Sequence, residues 1–199
     1  MAIPFKKKLK RKVAIFIDKI FGYDFLTTVS QEELGLDPRK FVRCSPSGNK
    51  YLLNVLNKLE INESDSIMDI GCGKGSVLKI LINYPFKNIC GIEISDSLSN
   101  ICKKNMRKIN DKRVTIFNLD ARYFENYHHY NYFYMYNPCS EEILNPIIQK
   151  IVDQSNSETI VIYNNPVHEK IFYDKGFIFI AEYDDEWGNG IKIFKLIKD

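Results

Sequence analysis

The stretch from Ile67 to Ser76, IMDIGCGKGS, decides the fold of this chain. Its first half is an apolar run typical of a buried strand, and its second half is a glycine-rich turn at the start of a helix. Glycine tolerates positive φ and adds no side-chain bulk, so backbone amides there can approach the polar groups of a ligand. The stretch therefore predicts a buried strand that leads into a ligand-binding turn.

The spacing of the glycines narrows the class of ligand. Gly71, Gly73 and Gly75 form G-x-G-x-G, and Ser76 stands where a dinucleotide-binding fold places its third glycine. Lys74 lies within the turn, but the complete G-x-x-x-x-G-K-[ST] pattern of a phosphate-binding loop is absent from the sequence. The spacing argues against an NAD-binding enzyme and against a nucleotide triphosphatase.

Acidic residues follow the next two apolar runs along the chain. Glu93 lies at the end of one run, where a carboxylate can accept hydrogen bonds from both hydroxyls of a ribose. Asp120 and Ala121 follow the run that ends at Asn118. If the runs are parallel strands, the three turns share the carboxyl edge of one sheet, which is where open α/β sheets bind ligands.

The motif from Asp69 to Gly75 resembles the first motif of class I S-adenosylmethionine-dependent methyltransferases, and the chain from Ser66 onward matches that family in order. The resemblance implies that S-adenosylmethionine is the cofactor. It also implies that Asp69 helps to hold the amino group, that Glu93 binds the ribose, and that Asp120 accepts from the adenine amino group. The residues that it places around the cofactor are Asp69, Gly71, Cys72, Gly73, Glu93, Asp120, Ala121 and Asn137. The chain also resembles a group of small bacterial methyltransferases.

The fourth apolar run ends in Asn137-Pro138-Cys139, which partly resembles the family's fourth motif, where methyl donor and acceptor meet. We predict Asn137 as the catalytic residue, orienting an acceptor by hydrogen bonding. Members that methylate planar amino groups usually carry Asn or Asp, two prolines and an aromatic residue. The single proline followed by cysteine leaves nitrogen and oxygen methylation both open.

A hydroxyl acceptor would require a base, and four side chains flank the fourth run closely enough to be considered. None belongs to a recognisable motif, and solvation of a loop is the commoner role for the two histidines. The four are His128, His129, Glu141 and Glu142. The scattered cysteines and histidines have no spacing typical of a metal site, and we predict none.

The alternation of apolar runs with amphipathic helices predicts an α/β fold. We expect a Rossmann-like three-layer sandwich with a mostly parallel seven-stranded sheet, a C-terminal antiparallel hairpin and preceding N-terminal helices. Residues 1–60 would form a helical extension that can act as a lid, and residues 61–199 the compact cofactor-binding domain. The predicted strands are 66–70, 88–93, 113–118, 131–136, 159–163, 177–183 and 190–197, and the predicted helices after the first motif are 76–83, 96–110, 141–154 and 168–175.

The segment from Lys6 to Phe21 has apolar residues at helical spacing, and we expect its cationic residues on the other face of the helix. Two interpretations compete: the helix packs on the domain and leaves a basic face in solvent, or it also contacts anionic lipid or substrate. We prefer the first. Integral membrane association is not expected, because the apolar run from Val13 to Ile17 is too short, while weak peripheral association stays open.

The net charge of +3 hides an asymmetry, because six cationic residues between Lys6 and Lys12 precede every acidic residue. The rest of the chain is mildly acidic, which disfavours a long duplex partner. The five cysteines are scattered and odd in number, which favours reduced thiols and a cytoplasmic location.

Three functional hypotheses follow from these patterns. The first is a methyltransferase for a small molecule or glycan precursor. The second is an RNA or protein methyltransferase that uses the basic N-terminal helix to bind an acidic partner. The third is a non-catalytic, cofactor-binding scaffold, which the altered fourth motif would allow.

Overall fold

The apolar runs form one seven-stranded sheet in the computed structural model, which describes residues 5–185 and 187–198. The strands are β1 (Ser66–Ile70), β2 (Asn88–Glu93), β3 (Val114–Asn118), β4 (Tyr132–Tyr136), β5 (Thr159–Asn164), β6 (Ile178–Tyr183) and β7 (Ile191–Leu196). Their order is β3-β2-β1-β4-β5-β7-β6, with β1 to β5 parallel and β7 antiparallel to both of its neighbours. The predicted Rossmann-like fold class is confirmed.

Helices cover both faces of this sheet and give the three-layer sandwich. The helices that flank the sheet are α2 (Lys50–Leu56), α3 (Leu78–Leu81), α4 (Asp96–Ile109), α5 (Glu141–Gln154) and α6 (Lys170–Asp174), and α1 (Phe5–Ile20) precedes them in the chain. Met68 and Ile70 of β1 pack in one apolar cluster with α5 and α6. Ile67 packs in the other cluster with α2, α3 and α4. Because successive side chains of a strand point to opposite faces, β1 is buried on both sides.

Helix α2 shares the core of the sheet, although it precedes the predicted domain boundary at residue 60. Asn49 caps it by accepting from the amides of Tyr51 and Leu52, and Leu52 and Leu56 are buried beside the sheet. The helix ends at Leu56. The buried face of α2 therefore places the preceding loop directly beside the glycine-rich turn.

Two predicted helices are shorter in the structure than their sequence patterns indicate. The segments 76–83 and 168–175 contain only four and five α-helical residues, in α3 and α6. Their ends form tighter turns, in which the amide of residue i+3 donates to the carbonyl of residue i, as in Asn83 to Ile80 and Lys175 to Phe172. Apolar periodicity does not distinguish such turns from a regular helix.

The C-terminal hairpin is confirmed, with a detail that the sequence does not specify. β7 is the inner strand, paired with β5, and β6 forms the edge of the sheet, where Ile178 and Ile180 are about half exposed. The predicted hairpin loop includes Glu186, and the predicted N-terminal extension includes residues 1–4. These residues lie outside the described part of the chain.

The preferred interpretation of α1 is wrong, because its apolar stripe points to solvent. Phe16 and Ile20 are 64% and 63% exposed, whereas Asp18 is buried and Ile15 half-buried. The physical reason is the carboxylate of Asp18, which accepts from the amide of Phe25 at 2.6 Å and turns the Asp18 side of the helix inward. None of the helices in the described residues is long and apolar enough to cross a membrane.

Candidate active site

A cleft lies at the carboxyl ends of β1, β2 and β3. Backbone bonds from the amides of Gly71 and Cys72 to the carbonyl of Ile92 hold the glycine-rich turn against the end of β2. The space between the lining residues is about 980 Å³ when it is counted out to the open mouth of the cleft. Seven of the predicted cofactor residues line it: Asp69, Gly71, Cys72, Gly73, Glu93, Asp120 and Ala121.

The glycines of the turn leave no space for side chains. Gly71 and Gly73 have φ values of +78° and +53°, which L-residues rarely adopt. A Cβ atom on Gly73 would lie 2.7 Å from the Sγ atom of Cys44, and one on Gly71 would lie 3.0 Å from the Cβ atom of Pro138. The sequence pattern thus has a local cause, since both conformation and space require glycine here.

Asp69 is a buried carboxylate at the wall of the cavity. Its side chain is 2% exposed, and within the part of the chain that the structure describes no group donates a hydrogen bond to it. Burial raises the pKa of Asp69 well above its usual range, and the nearby charge of Glu93 raises it further. An unpaired buried carboxylate at a cavity wall favours a ligand that brings a cation.

Glu93 holds the turn and the start of α4 together. One carboxylate oxygen accepts from the amide of Gly73 and the other from the amide of Ser95, both at 2.9 Å. Burial raises the pKa of Glu93, and these two amides partly oppose the shift. The carboxylate borders the cavity in a fixed orientation, as a group that recognises ligand hydroxyls requires.

Asp120 is positioned differently from the other two acids, because it is already paired. Its carboxylate accepts from the backbone amide of Arg122 at 2.9 Å and from the guanidinium of Arg122 at 2.6 Å. Burial would raise the pKa of Asp120, but the hydrogen bonds from Arg122 outweigh it and hold the pKa below its usual range. An adenine amino group at this carboxylate would have to share it with Arg122.

Asn137 is placed beside the cavity rather than in its lining. Its neighbours Tyr136, Pro138 and Cys139 line the cavity, whereas the set of described lining residues does not include Asn137. Its backbone has a φ of +35°, and its side-chain oxygen accepts from the hydroxyl of Tyr163 at 3.4 Å. Its catalytic role stays a prediction.

The four candidate bases are absent from the described lining of the cavity. His128 and His129 are exposed and precede β4, so they lie near the amino end of that strand, at the opposite edge of the sheet from the cavity. Glu141 and Glu142 are exposed in the first turn of α5. The ligand-free geometry therefore gives none of these four groups direct contact with the cavity.

Residues 25–47, which we call the roof segment, cover the cavity. The segment folds on itself through a bridge between Val29 and Cys44, and a second bridge joins Phe41 to Cys139 after β4. Two further backbone bonds run from Val42 to Pro138 and from Ser140 to Lys40. The roof contributes apolar lining side chains, namely Phe25, Leu34, Leu36, Phe41 and Val42.

A buried ion pair joins Asp24, the residue directly before the roof segment, to the glycine-rich turn, and sequence reasoning missed it. The Nζ atom of Lys74 lies 2.7 Å from a carboxylate oxygen of Asp24 and also donates to the hydroxyl of Thr27. Burial alone would raise the pKa of Asp24, but Lys74 and Thr27 outweigh it and hold the pKa below its usual range. The pair joins residues 50 positions apart, and no local pattern signals it.

Comparison with known proteins agrees with this geometry. The model of the family described as ribosomal RNA adenine dimethylase matches residues 48–177. A probable cobalt-precorrin-6B C(15)-methyltransferase (decarboxylating) of Methanococcus maripaludis is 24% identical over 131 residues, which are 63% of this chain and 72% of that protein.

Two solved structures share the fold at low identity. A SAM-dependent methyltransferase from Aquifex aeolicus superposes with a TM-score of 0.58 at 12% identity, covering 72% of this chain and 87% of that one. Magnesium protoporphyrin IX methyltransferase from Synechocystis, solved with bound SAM, gives a TM-score of 0.56 at 14% identity over 75% of this chain and 76% of that chain.

Proposed function

The chain belongs to the ribosomal RNA adenine dimethylase family and is a class I S-adenosylmethionine-dependent methyltransferase, and from this premise we propose that its acceptor is a small molecule with an apolar surface. The observation that carries the proposal is the set of five large apolar side chains that the roof segment places over the carboxyl edge of the sheet. The roof leaves a covered chamber, which suits a molecule that enters whole.

The lining of the cavity fits S-adenosylmethionine. The unpaired, buried carboxylate of Asp69 suits the cationic amino group of that cofactor, and the strained glycine backbone lets its amides approach closely. We assign the ribose to Glu93 and the adenine to Asp120 and Ala121, with Gly71, Cys72 and Gly73 against the methionine portion. The bound cofactor supplies an electrophilic methyl group on its sulfonium.

The chemical contribution of the protein itself is then positioning and exclusion of water. Tyr136, Pro138 and Cys139 border the cavity where β4 ends, and we place the acceptor there, beneath Phe41 and Val42. Asn137 would act through the loop geometry or, after a local rearrangement, by a direct hydrogen bond to the acceptor. We propose that the roof segment acts as a lid over the bound ligands, because its side chains line the cavity opposite the glycine-rich turn.

Two of the similar proteins support a small acceptor through their names, which contain cobalt-precorrin and magnesium protoporphyrin. A glycan precursor is less well supported, because five large apolar side chains of the roof line the cavity and sugars require many hydrogen-bond partners. The five free cysteines of the described structure also support a reducing, cytoplasmic setting.

The test is a methyl-transfer assay with tritium-labelled S-adenosylmethionine and cell extract split into three fractions: organic-soluble small molecules, water-soluble small molecules, and deproteinised ribosomal RNA. We expect label in the organic-soluble fraction, and none with the Glu93→Ala variant. Label confined to the water-soluble fraction would contradict an apolar acceptor, and label confined to RNA would contradict a small one.

RNA is the second candidate, favoured by the description of the family and by the seven cationic residues of α1. In that case, binding of RNA should weaken steeply as salt rises, because each phosphate contact releases counterions. Replacing Lys10 and Lys12, both exposed on α1, with Glu should then reduce RNA methylation.

A further inference from the structure

The outer face of α1 is an apolar stripe that the rest of the chain leaves uncovered. Leu9, Val13, Phe16, Ile17 and Ile20 are each between 48% and 64% exposed. Their spacing of three and four residues puts them on one side of the helix. Single exposed apolar residues are common on protein surfaces, but five large ones in one contiguous stripe form a patch of the kind that marks an interaction surface.

The orientation of α1 is fixed by the body of the protein. Asp18, only 8% exposed, accepts from the amide of Phe25, and the side chain of Lys108 donates to the carbonyls of Phe21 and Gly22. Ala14 and Ile15 are half-buried on the same side as Asp18. The helix is therefore held by its polar side, and the apolar stripe cannot turn inward without breaking these bonds.

Cationic side chains border the stripe. Viewed down the helix axis, Lys10 flanks the stripe on one side, and Lys12 and Lys19 flank it on the other. All three side chains are exposed. In total α1 has seven cationic residues and one acidic residue, Asp18. Its net charge of +6 exceeds the +3 of the whole chain, so the remainder of the protein is net negative.

We propose that α1 docks the enzyme on an anionic phospholipid surface, lying in the plane of the membrane with its apolar stripe in the acyl boundary. Lysines on both sides of the stripe can extend to the phosphates while their methylene stems cover apolar surface. The charge of the helix complements an anionic leaflet. With 16 residues and seven cations, α1 lies on the bilayer and does not cross it.

Lipid accounts for the stripe better than the other candidate occupants do. RNA would use the cations of α1 but gives no reason for five uncovered apolar side chains. A second copy of this chain would bring two strongly cationic helices together, and like charges at close range repel. An anionic bilayer accounts for the stripe and both cationic borders at once.

The experiment is sedimentation of the full chain with vesicles of phosphatidylcholine alone and of phosphatidylcholine mixed with phosphatidylglycerol, without S-adenosylmethionine. We expect binding to the mixed vesicles, weaker binding at high salt, and little binding to phosphatidylcholine. The Phe16→Ser/Ile20→Ser double variant should bind at least about tenfold more weakly, since large buried apolar side chains are lost from the interface. The matched control is Ile180→Ser, which removes a half-exposed apolar side chain from β6.

Three results would overturn the proposal. One is absence of binding to the mixed vesicles, and another is equal binding by wild type and the double variant. The third is a lipid-free dimer in sedimentation velocity that the double variant abolishes, which would assign the stripe to a second copy. Because the replaced residues are exposed, circular dichroism should be unchanged, and the readout is independent of the methyl acceptor.

Discussion

At the scale of the residue, Asp69 explains how the ligand-free site is prepared for a cation. A carboxylate buried without a partner destabilises the folded protein at neutral pH. Its raised pKa expresses the same cost, because the folded state holds the proton more tightly than the unfolded state does. The cost is present above the folded pKa and disappears as pH falls below the unfolded value. A bound ammonium would replace this cost with a charge-assisted hydrogen bond.

The variant Asp69→Asn should therefore separate stability from binding. Without ligand, it should melt at least about 2 °C higher than wild type, the shift that 1 kcal/mol gives in a chain of this size. Its affinity for S-adenosylmethionine should fall by about tenfold or more, since hydrogen bonds to charged groups contribute about 1.5–3 kcal/mol. Thermal melts with and without cofactor measure both effects.

The control for this pair of effects is Asp184→Asn, which neutralises an exposed carboxylate outside the cavity. It should change neither the melting temperature nor the cofactor affinity. Affinity of the wild type should also fall on acidification at a pH above the ordinary carboxyl range near 4, and Asp69→Asn should show a weaker fall. Wild-type affinity in Asp69→Asn would contradict the assignment of the ammonium.

At the scale of the element, the roof segment depends on the Lys74–Asp24 pair. The two partners are unequal, because the side chain of Lys74 is 4% exposed and that of Asp24 is 32% exposed. Removing the carboxylate leaves a buried ammonium, whereas removing the ammonium leaves a carboxylate that water can reach. Breaking a buried pair by deleting one partner is costly because the other charge stays buried.

We expect Asp24→Asn to lower the free energy of unfolding by about 2 kcal/mol. Breaking a fully buried pair costs about 3–5 kcal/mol, and the cost is smaller here because Asp24 is partly exposed. Lys74→Met should cost less. Urea denaturation measures the free energies of unfolding. Relative to wild type, both variants should accelerate hydrogen exchange more in residues 25–47 than in β1. Asp174→Asn, which breaks the exposed Lys170–Asp174 pair, is the control, and should lie within about 0.5 kcal/mol of wild type. An equal cost for Asp24→Asn and Lys74→Met would contradict the account.

The pH dependence of the pair has a definite sign. The folded pKa of Asp24 is lowered, so its contribution to stability is present above the unfolded value near 3.9. That contribution disappears as pH falls through the folded pKa. Asp24→Asn should therefore show a smaller stability loss than wild type during acid denaturation.

At the scale of the whole molecule, the features that the sequence predicts well are those encoded by local periodicity. β1, β2 and α5 have the predicted bounds, because apolar runs and amphipathic faces are visible in a short window. The sequence also predicted that the turns after β1, β2 and β3 share one edge of the sheet, since a parallel sheet brings its strand ends together. Long-range contacts carry no such signal.

Several of the missed features are contacts between distant segments. Lys74 meets Asp24, Phe41 meets Cys139, and Cys44 lies over Gly73, and each pair is joined only by the fold. The outward stripe of α1 was missed for a related reason. Periodicity identifies an apolar face of a helix. It does not show that the hydrogen bond of one acidic residue, Asp18, will turn the opposite side of α1 toward the protein.

The most direct test of the account is calorimetric titration of the purified chain with S-adenosylmethionine, comparing wild type, Glu93→Ala and Asp120→Ala, with the exposed Glu63→Ala as control. We predict one site in wild type and in Glu63→Ala, and affinity about tenfold or more weaker in the other two variants, as expected for lost charged hydrogen bonds. Because Glu93 also accepts hydrogen bonds from the amides of Gly73 and Ser95, circular dichroism should check that Glu93→Ala is folded. Asp120 follows a different strand and tests the cavity independently. Absence of wild-type binding, or unchanged binding in both cavity variants, would contradict the placement of the cofactor at this edge of the sheet.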